Sequence, residues 1–514
     1  MKGMDARKRR RYFLHSKKGG AAVFLAMALA GMIAVTAVLL EGACAFAAGS
    51  YMEGVCDLAA RSVLSSYHRQ LREDYGLFAM EAREEKIEGD LSYFIDGTFN
   101  RKKKGKELLS LIAVRQKNVF ADVSPFLLIK PDVVLEQILD YMKYRALALG
   151  WELSSEAWLG AGLKESAGAL ELARQKEEEA AQAEREQEEE DRARREEAAE
   201  NPQDADPEAD EEESRRRKEK KRLSQMLKEQ RQRNEGEGTG EEREDRVLRN
   251  RQMIRQLPSR LTDYAAFPDL GGVLGKDPEE LLLTGRDSLY LDEYILLQFS
   301  SFAGKKQGKE TFFQNEAEYI LCGHPSDERN RKQVKAYLFT LRAGLNLSHI
   351  YGDPAKRQLT LNAALAIAPG PAAPAAQLLI ATLWAGGESE QDVAALYNGE
   401  RVPFVKGRED WKTDLEGILS GALAPENPAG KEGGRGQSYE DYLRLFLLLS
   451  GRESRLIRLM DLIQLNMRLR YEKDFRVADY CGGFFFRADL ARKNGFMMPA
   501  GLLGGRIIEK VHRY

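Results

Sequence analysis

The chain has 514 residues, 43% of them hydrophobic, enough for two or more domains with sizeable cores. Its 78 Lys and Arg nearly balance 81 Asp and Glu, and a net charge of −3 gives no general attraction to nucleic acid. Four cysteines, Cys44, Cys56, Cys322 and Cys481, are too few for a disulfide framework at this length, and only Cys322 with Cys481 would serve as a structural bridge outside a membrane.

Residues 1–20 carry Lys2, Arg7, Lys8, Arg9, Arg10, Arg11, Lys17 and Lys18 against the single acid Asp5. Residues 21–40 (AAVFLAMALAGMIAVTAVLL) contain no charge, and as a helix they rise roughly 30 Å, the thickness of a bilayer's hydrocarbon core. The positive-inside rule then predicts a cytoplasmic N-terminus, one transmembrane helix and the bulk of the chain outside the cell. Ala45-Phe46-Ala47, followed by Ala48-Gly49, offers the alternative of a cleaved secretory signal. The apolar run is longer than the roughly 7–15 residues of a signal h-region, so a retained anchor is expected. Glu41, the first acid beyond the run, either marks the membrane surface or pairs with an amine or a basic group of a neighbouring membrane helix during assembly.

Beyond the span, Val55, Ala59, Val63, Tyr67, Leu71 and Tyr75 recur every three or four residues until Gly76. Residues 41–76 are thus predicted to form a helical stalk. It is either continuous with the span, reaching about 80 Å from residue 21 to residue 75, or broken near Gly42 or Gly49. Residues 77–169 make the first part of an extracellular head, with an extended segment at 118–129 and an amphipathic helix at 133–149.

The composition then changes. No aromatic residue lies between Trp158 and Tyr264; residues 177–213 hold 19 acids against four arginines, and residues 215–222 (RRRKEKKR) hold seven bases against one acid. The apolar heptad pattern of a coiled coil is missing, and Asn201-Pro202 and Asp206-Pro207 interrupt any helix. Residues 170–250 are therefore expected to be a charged low-complexity linker, disordered or a solvated helix.

Residues 251–514 form the second part of the head. Helices are predicted at 288–302, 314–321, 328–346, 375–385, 389–397 and 411–420, with a long pair across 439–469. Strands are predicted at 358–367, 402–405 and 475–490, the last a hairpin turning at Cys481-Gly482-Gly483. The expected fold class is α+β, mainly α, with a small antiparallel sheet. Residues 363–385 are 23 uncharged residues in a row, but Pro369, Gly370, Pro371 and Pro374 make them two short core segments joined by a proline turn rather than a second span.

No catalytic signature emerges. Gly271-Gly272-Val273-Leu274-Gly275-Lys276 has Leu270 where a phosphate loop needs glycine and Asp277 where it needs Ser or Thr. Cys322, His324, His349 and Cys481 lack the paired spacings of a zinc site, and no metal or cofactor is expected. Gly436-Gln437-Ser438-Tyr439 begins like a nucleophile elbow but continues with Glu440. Glu293, Glu316, Glu318, Glu440, Asp441 and Asp461 offer carboxylates for glycoside cleavage in principle, yet among 81 acids such pairs arise by chance.

KKGGAAVFLAMALAGMIAVTAVLLEGA and CDLAARSVLSSYHRQLREDYGLFAME, with the later QILDYMKYRAL, AEYILCG, LRAGLNLSHIY, RVPFVKG and YEDYLRLFLLL, resemble the membrane-anchored DUF5702 family of Gram-positive bacteria. That resemblance implies association with tight-adherence (Flp, type IVc) pilus loci and implies no enzymatic activity. The start is also similar to pseudopilins, whose leader ends in glycine and whose mature helix bears glutamate at its fifth position. Processing after Gly19 or Gly20 would put Phe24 or Leu25 there, and neither is acidic. The expected function is a non-enzymatic accessory or assembly component of a pilus or secretion system. Its partners would be the membrane and pilus or secretion proteins, without nucleic acid, and Ala26, Ala30 and Gly31 would give close helix packing in the bilayer. The alternatives are an anchored cell-wall hydrolase using paired carboxylates and a surface adhesin.

Overall fold

A computed structural model describes residues 18–99, 114–148, 154–200, 207–234, 256–261, 285–306, 308–421, 436–493 and 505–514. Helices predominate, and the strands form two small antiparallel sheets, so the fold is α+β and mainly α. The chain divides into unit 1 (Met1–Arg72, Phe78–Lys130 and Ala478–Tyr514) and unit 2 (Glu73–Leu77 and Pro131–Val477).

Helix α1, Lys18–Leu64, dominates unit 1 and passes through Gly42 and Gly49 without a break. Each glycine costs a helix about 1 kcal/mol, which packing of the outer half offsets. Ala48, Met52, Val55, Cys56, Ala59, Ala60 and Val63 form a buried stripe at helical spacing. Against it lie Ile87, Leu91 and Ile95 of α3 (Glu84–Phe99) and the inner face of a three-stranded sheet. The expected continuous helix to Tyr75 is corrected. The chain leaves α1 at Leu64, the His68 amide donates to Ala79 O at 2.7 Å, and α2 (Arg69–Tyr75) is a separate helix ended by Gly76 at φ 69°.

The larger sheet has the order β2-β4-β5, all antiparallel: β2 Val114–Asp122, β4 Gly483–Arg492 and β5 Arg506–Arg513. Phe484, Phe486, Ala488 and Leu490 alternate inward along β4, as a strand's period of two requires. Glycine is needed at Gly483, where a Cβ would meet His512 O at 2.6 Å. The second sheet pairs β1 (Met80–Glu81) with β3 (Tyr480–Cys481). The predicted hairpin at Cys481-Gly482-Gly483 is therefore corrected: β3 and β4 belong to different sheets. Between them the Gly482 amide donates to Phe126 O and its carbonyl accepts from the Tyr514 amide. The extended segment expected at 118–129 is β2 as far as Asp122, then a 3-10 turn, Ser124–Phe126.

Unit 2 is helical. It contains α4 (Pro131–Ala148), α5 (Ser154–Glu200), α6 (Pro207–Asn234), α7 (Gly285–Gln298), α8 (Glu316–Cys322), α9 (Asp327–Gly352) and α10 (Pro354–Ile367). Then follow α11 (Ala373–Tyr397), α12 (Leu415–Ser420), α13 (Tyr439–Leu449) and α14 (Arg452–Arg470). The strand predicted at 358–367 is helix α10: Asp353 caps it by accepting from the Ala355 amide, and Pro354 presets its first turn. The two helices predicted across 375–397 are the single α11. At 402–405 only Val402 makes a bridge, to Gln437. The apolar run 363–385 is, as expected, two helical segments joined by the proline-rich 3-10 turn Gly370–Ala372.

The described part of the charged insert is helical, one of the two states expected of it. Helices α5 and α6 are joined by Asp191–Arg216 at 2.7 Å and Glu184–Lys220 at 2.6 Å, which offset part of the charge of the acidic run. Ser166, Ala169, Ala180, Ala183 and Gln187 are buried along α5, which packs against α9 and α11. On α6, Leu223 is buried with Ala364, Ile380 and Leu383. Residues 201–206 and 235–250 of the expected linker lie outside the described residues.

Candidate functional site

Unit 1 contains one helix long and apolar enough to cross a membrane, Gly20–Leu64. Gly19 and Gly20 fall in the first turn of α1. Ala26, Ala30 and Gly31 are exposed on its N-terminal half, as are Val23, Phe24, Leu25, Met27, Leu29, Met32 and Ile33. Cover begins at Ala37 and Glu41. Glu41 is only 8% exposed, and its partner lies within unit 1: the Arg492 guanidinium, 3.0 Å away at the end of β4. Further along, Glu53 pairs with Arg506, and Asp57 receives Lys510 at 2.6 Å and His512 at 3.3 Å. Acids at 41, 53 and 57 on α1 thus meet bases on β4 and β5, locking the sheet to the outer half of the helix.

In unit 2 the most concentrated chemistry is a buried network that the sequence did not single out. Arg342 on α9 is fully buried; its Nε donates to Asp392 of α11 at 2.9 Å, and its terminal nitrogens donate to Pro403 O, the Tyr442 hydroxyl and Asn346 Oδ1 at 2.8–3.1 Å. Lys406 pairs with Glu388 and, at 2.6 Å, with Asp392. Glu388 also accepts from the amides of Lys412 and Thr413. Two cations and two anions balance, and their remaining hydrogen-bonding capacity is turned to the loop 401–413. This is the arrangement of a polar core that fixes one packing. The legible signal was Arg342 itself, in register with Leu338, Leu341 and Leu345 on the apolar face of a helix.

The carboxylates considered for hydrolysis hold loops. Glu316 accepts from the Ser300 amide at 2.9 Å and from Asn466 at 2.6 Å; Glu318 accepts from the Phe302 amide and the Tyr439 hydroxyl, both at 2.8 Å. Asp461 accepts from the Ser259 amide at 2.9 Å and the Tyr319 hydroxyl at 2.8 Å. Glu293 and Asp441 bind Arg444, while Glu440 accepts from Ser301. Ser438, the would-be elbow residue, caps α13 in a reciprocal capping box with Asp441. The glycine loop 271–276 lies outside the described residues.

Burial pushes Glu316 up to about 7 and Asp461 up to about 6, against the pull of the donors just named. The folded state then keeps protons that the unfolded chain has released. Stability is full below the unfolded pKa values of 4.5 and 3.8 and is lost as pH rises through 6 to 7. Urea unfolding of the full chain in detergent is expected to show lower stability at pH 8 than at pH 5, by up to about 1.4 kcal/mol per group and per pH unit of that window. Glu316→Gln should flatten the dependence; equal stability at the two pH values would refute it.

Cys322 and Cys481 are free buried thiols in different units, so the expected bridge is corrected; Cys44 and Cys56 are free and buried as well. Of the loose metal constellation, His349 stacks on Trp411, and Asn330 brackets His324 by hydrogen bonds to its amide and carbonyl. Among the described residues no group of three or more His, Cys, Asp or Glu is arranged to hold a metal ion.

Unit 2 also presents a cleft of about 670 Å³ between α6, α9 and α11. Its floor is Val393, Ala394 and Tyr397, and its rim carries Arg233, Arg331, Lys332 and Lys335 with the single acid Glu390.

No curated protein and no solved structure matches the chain. The model of a family of unknown function, DUF5702, matches residues 209–491, from the start of α6 to the end of β4. That match spans more than half of the 514 residues and takes in α9, α11 and the buried network between them, and the chain belongs to this family.

Proposed function

We propose that this protein is a non-enzymatic, single-pass cell-surface protein, cytoplasmic at its N-terminus, that serves as an accessory or assembly component of a tight-adherence type pilus or secretion system. The observation that carries the reading is the continuity of α1. The exposed apolar half and the half buried in the core of unit 1 are one helix. Cleavage at Ala45-Phe46-Ala47 would cut that helix between Glu41, paired with Arg492, and buried Ala48, so a retained anchor accords with the packing and a secretory leader does not. Removal of a leader ending at Gly19 or Gly20 would leave the packed helix whole. With the sheet locked to α1, sideways contacts of the helix in the bilayer would move helix and sheet as one body. The link to a pilus rests on the resemblance of the N-terminus and the later segments to the family as it occurs at such loci.

Recovery of pilus proteins with the anchored, affinity-tagged chain tests the reading. The triple variant Ala26→Leu, Ala30→Leu, Gly31→Leu is expected to reduce recovery several-fold, and unchanged recovery would reject helix packing as the mechanism. The mass of the mature N-terminus separates the two roles. A chain beginning at Met1 or Lys2 is a permanent anchor, and one beginning at Gly20 or Ala21 belongs in the fibre.

A further inference from the structure

The cleft of unit 2 has a charge that its own fold does not consume. Arg233 approaches Glu390 at 3.5 Å, and Lys332 is held by Glu328 at 3.1 Å. Arg331 lies over the Phe302 ring at 5.7 Å, and neither it nor Lys335 has a carboxylate partner among the described residues. Glu390 is already shared, because Asn234 donates to it at 2.9 Å. Four cations therefore line, with the single acid Glu390, an opening whose volume falls in the range of ligand pockets, Glu328 outside it holding only Lys332. Arg331, Lys332 and Lys335 come from adjoining turns of α9, and Arg233 faces them from α6.

The floor narrows the class of ligand. Exposed Ala394 and half-buried Tyr397, set over buried Val393, give a narrow apolar strip along α11, lined with the basic groups of α6 and α9. A bare phosphate or a fully charged polymer would use the rim and leave the strip wet. A peptide that alternates acidic and apolar side chains uses both, its carboxylates reaching the guanidinium forks and its apolar groups covering the strip. We propose that this cleft is a docking site for an acidic, apolar-interleaved peptide segment of a partner protein. The proposal deepens the reading of the protein as an assembly component by giving a partner's chemistry, and it does not depend on the pilus assignment.

Fluorescence anisotropy of the full chain in neutral detergent, titrated into a fluorescein-labelled decapeptide alternating glutamate and leucine, tests it. Saturable binding is expected, weakened at least tenfold by the double variant Arg331→Gln, Lys335→Gln and kept by the charge-retaining pair Arg331→Lys, Lys335→Arg. Should the neutralised variant not fold, raising salt on the wild-type chain reads the same charge dependence, because exposed pairs are screened. Absence of saturable binding, equal affinity of the folded neutral variant, or binding of inorganic polyphosphate as tight as that of the peptide overturns the proposal. Peptide binding with no pilus proteins recovered would sink the assembly reading alone; the converse would sink only the cleft.

Discussion

Arg342→Met is expected to destabilise unit 2 by about 3–5 kcal/mol, the usual cost of removing one partner from a buried charge network. The side chain is fully buried, and its loss strands the carbonyls of Pro403 and Phe404, Asn346 Oδ1 and part of Asp392 in a site without water-exposed alternatives. Lys406 still faces Asp392 and Glu388, so the residual charge becomes −1 where it had been zero. Adding Asp392→Asn restores neutrality and should recover part of the loss, a coupling that a double-mutant cycle by urea unfolding measures directly. Hydrogen exchange should report the damage in α9, α11 and the loop 401–413. A loss below about 1 kcal/mol, the range of an exposed pair, would mean that the network is solvated.

Phe486→Ala is the corresponding test in unit 1, with an expected cost of about 3–5 kcal/mol for a large aromatic taken from a packed core. Phe486 is fully buried, opposite Ala121 on β2 and Lys510 on β5, with Phe484 at 6.1 Å between ring centroids and the α1 stripe in the same core. The cavity should loosen the sheet from the helix. Amides of β2, β4, β5 and the outer half of α1 are expected to exchange faster, while those around Arg342 in unit 2 stay protected. Uniform loss of protection across both units would show that they unfold as one.

The family match links the two lines of argument. It reaches from Ala209 in α6 to Ala491 in β4 and so covers the charged cleft and the buried network, stopping one residue short of Arg492, the partner of Glu41. The segments that carried the resemblance, LRAGLNLSHIY, RVPFVKG and YEDYLRLFLLL, contribute Arg342, Lys406 and Tyr442 to a single cluster in space.

The sequence by itself determined the long apolar helix at the N-terminus, the mainly helical head with a small antiparallel sheet, the proline turn at 369–374 and the helix pair 439–469. Those features are written in local terms: an uncharged run, apolar residues at helical spacing, prolines that stop a helix. Only the tertiary structure decided where helix α1 ends, because the break at 65–68 is set by a hydrogen bond from His68 to Ala79 rather than by Gly42 or Gly49. It also turned 358–367 from a strand into α10, through a cap at Asp353. The described part of the charged insert is helix, one of the two states expected, and the tertiary structure adds the burial of small residues on α5, which carry almost no hydropathy signal in the sequence. Ion pairs are the extreme case. Glu41 with Arg492 and Arg342 with Asp392 join residues 451 and 50 positions apart, so a charge on an apolar helix face can be noticed in the sequence, but its partner is identified only when the fold brings the two together.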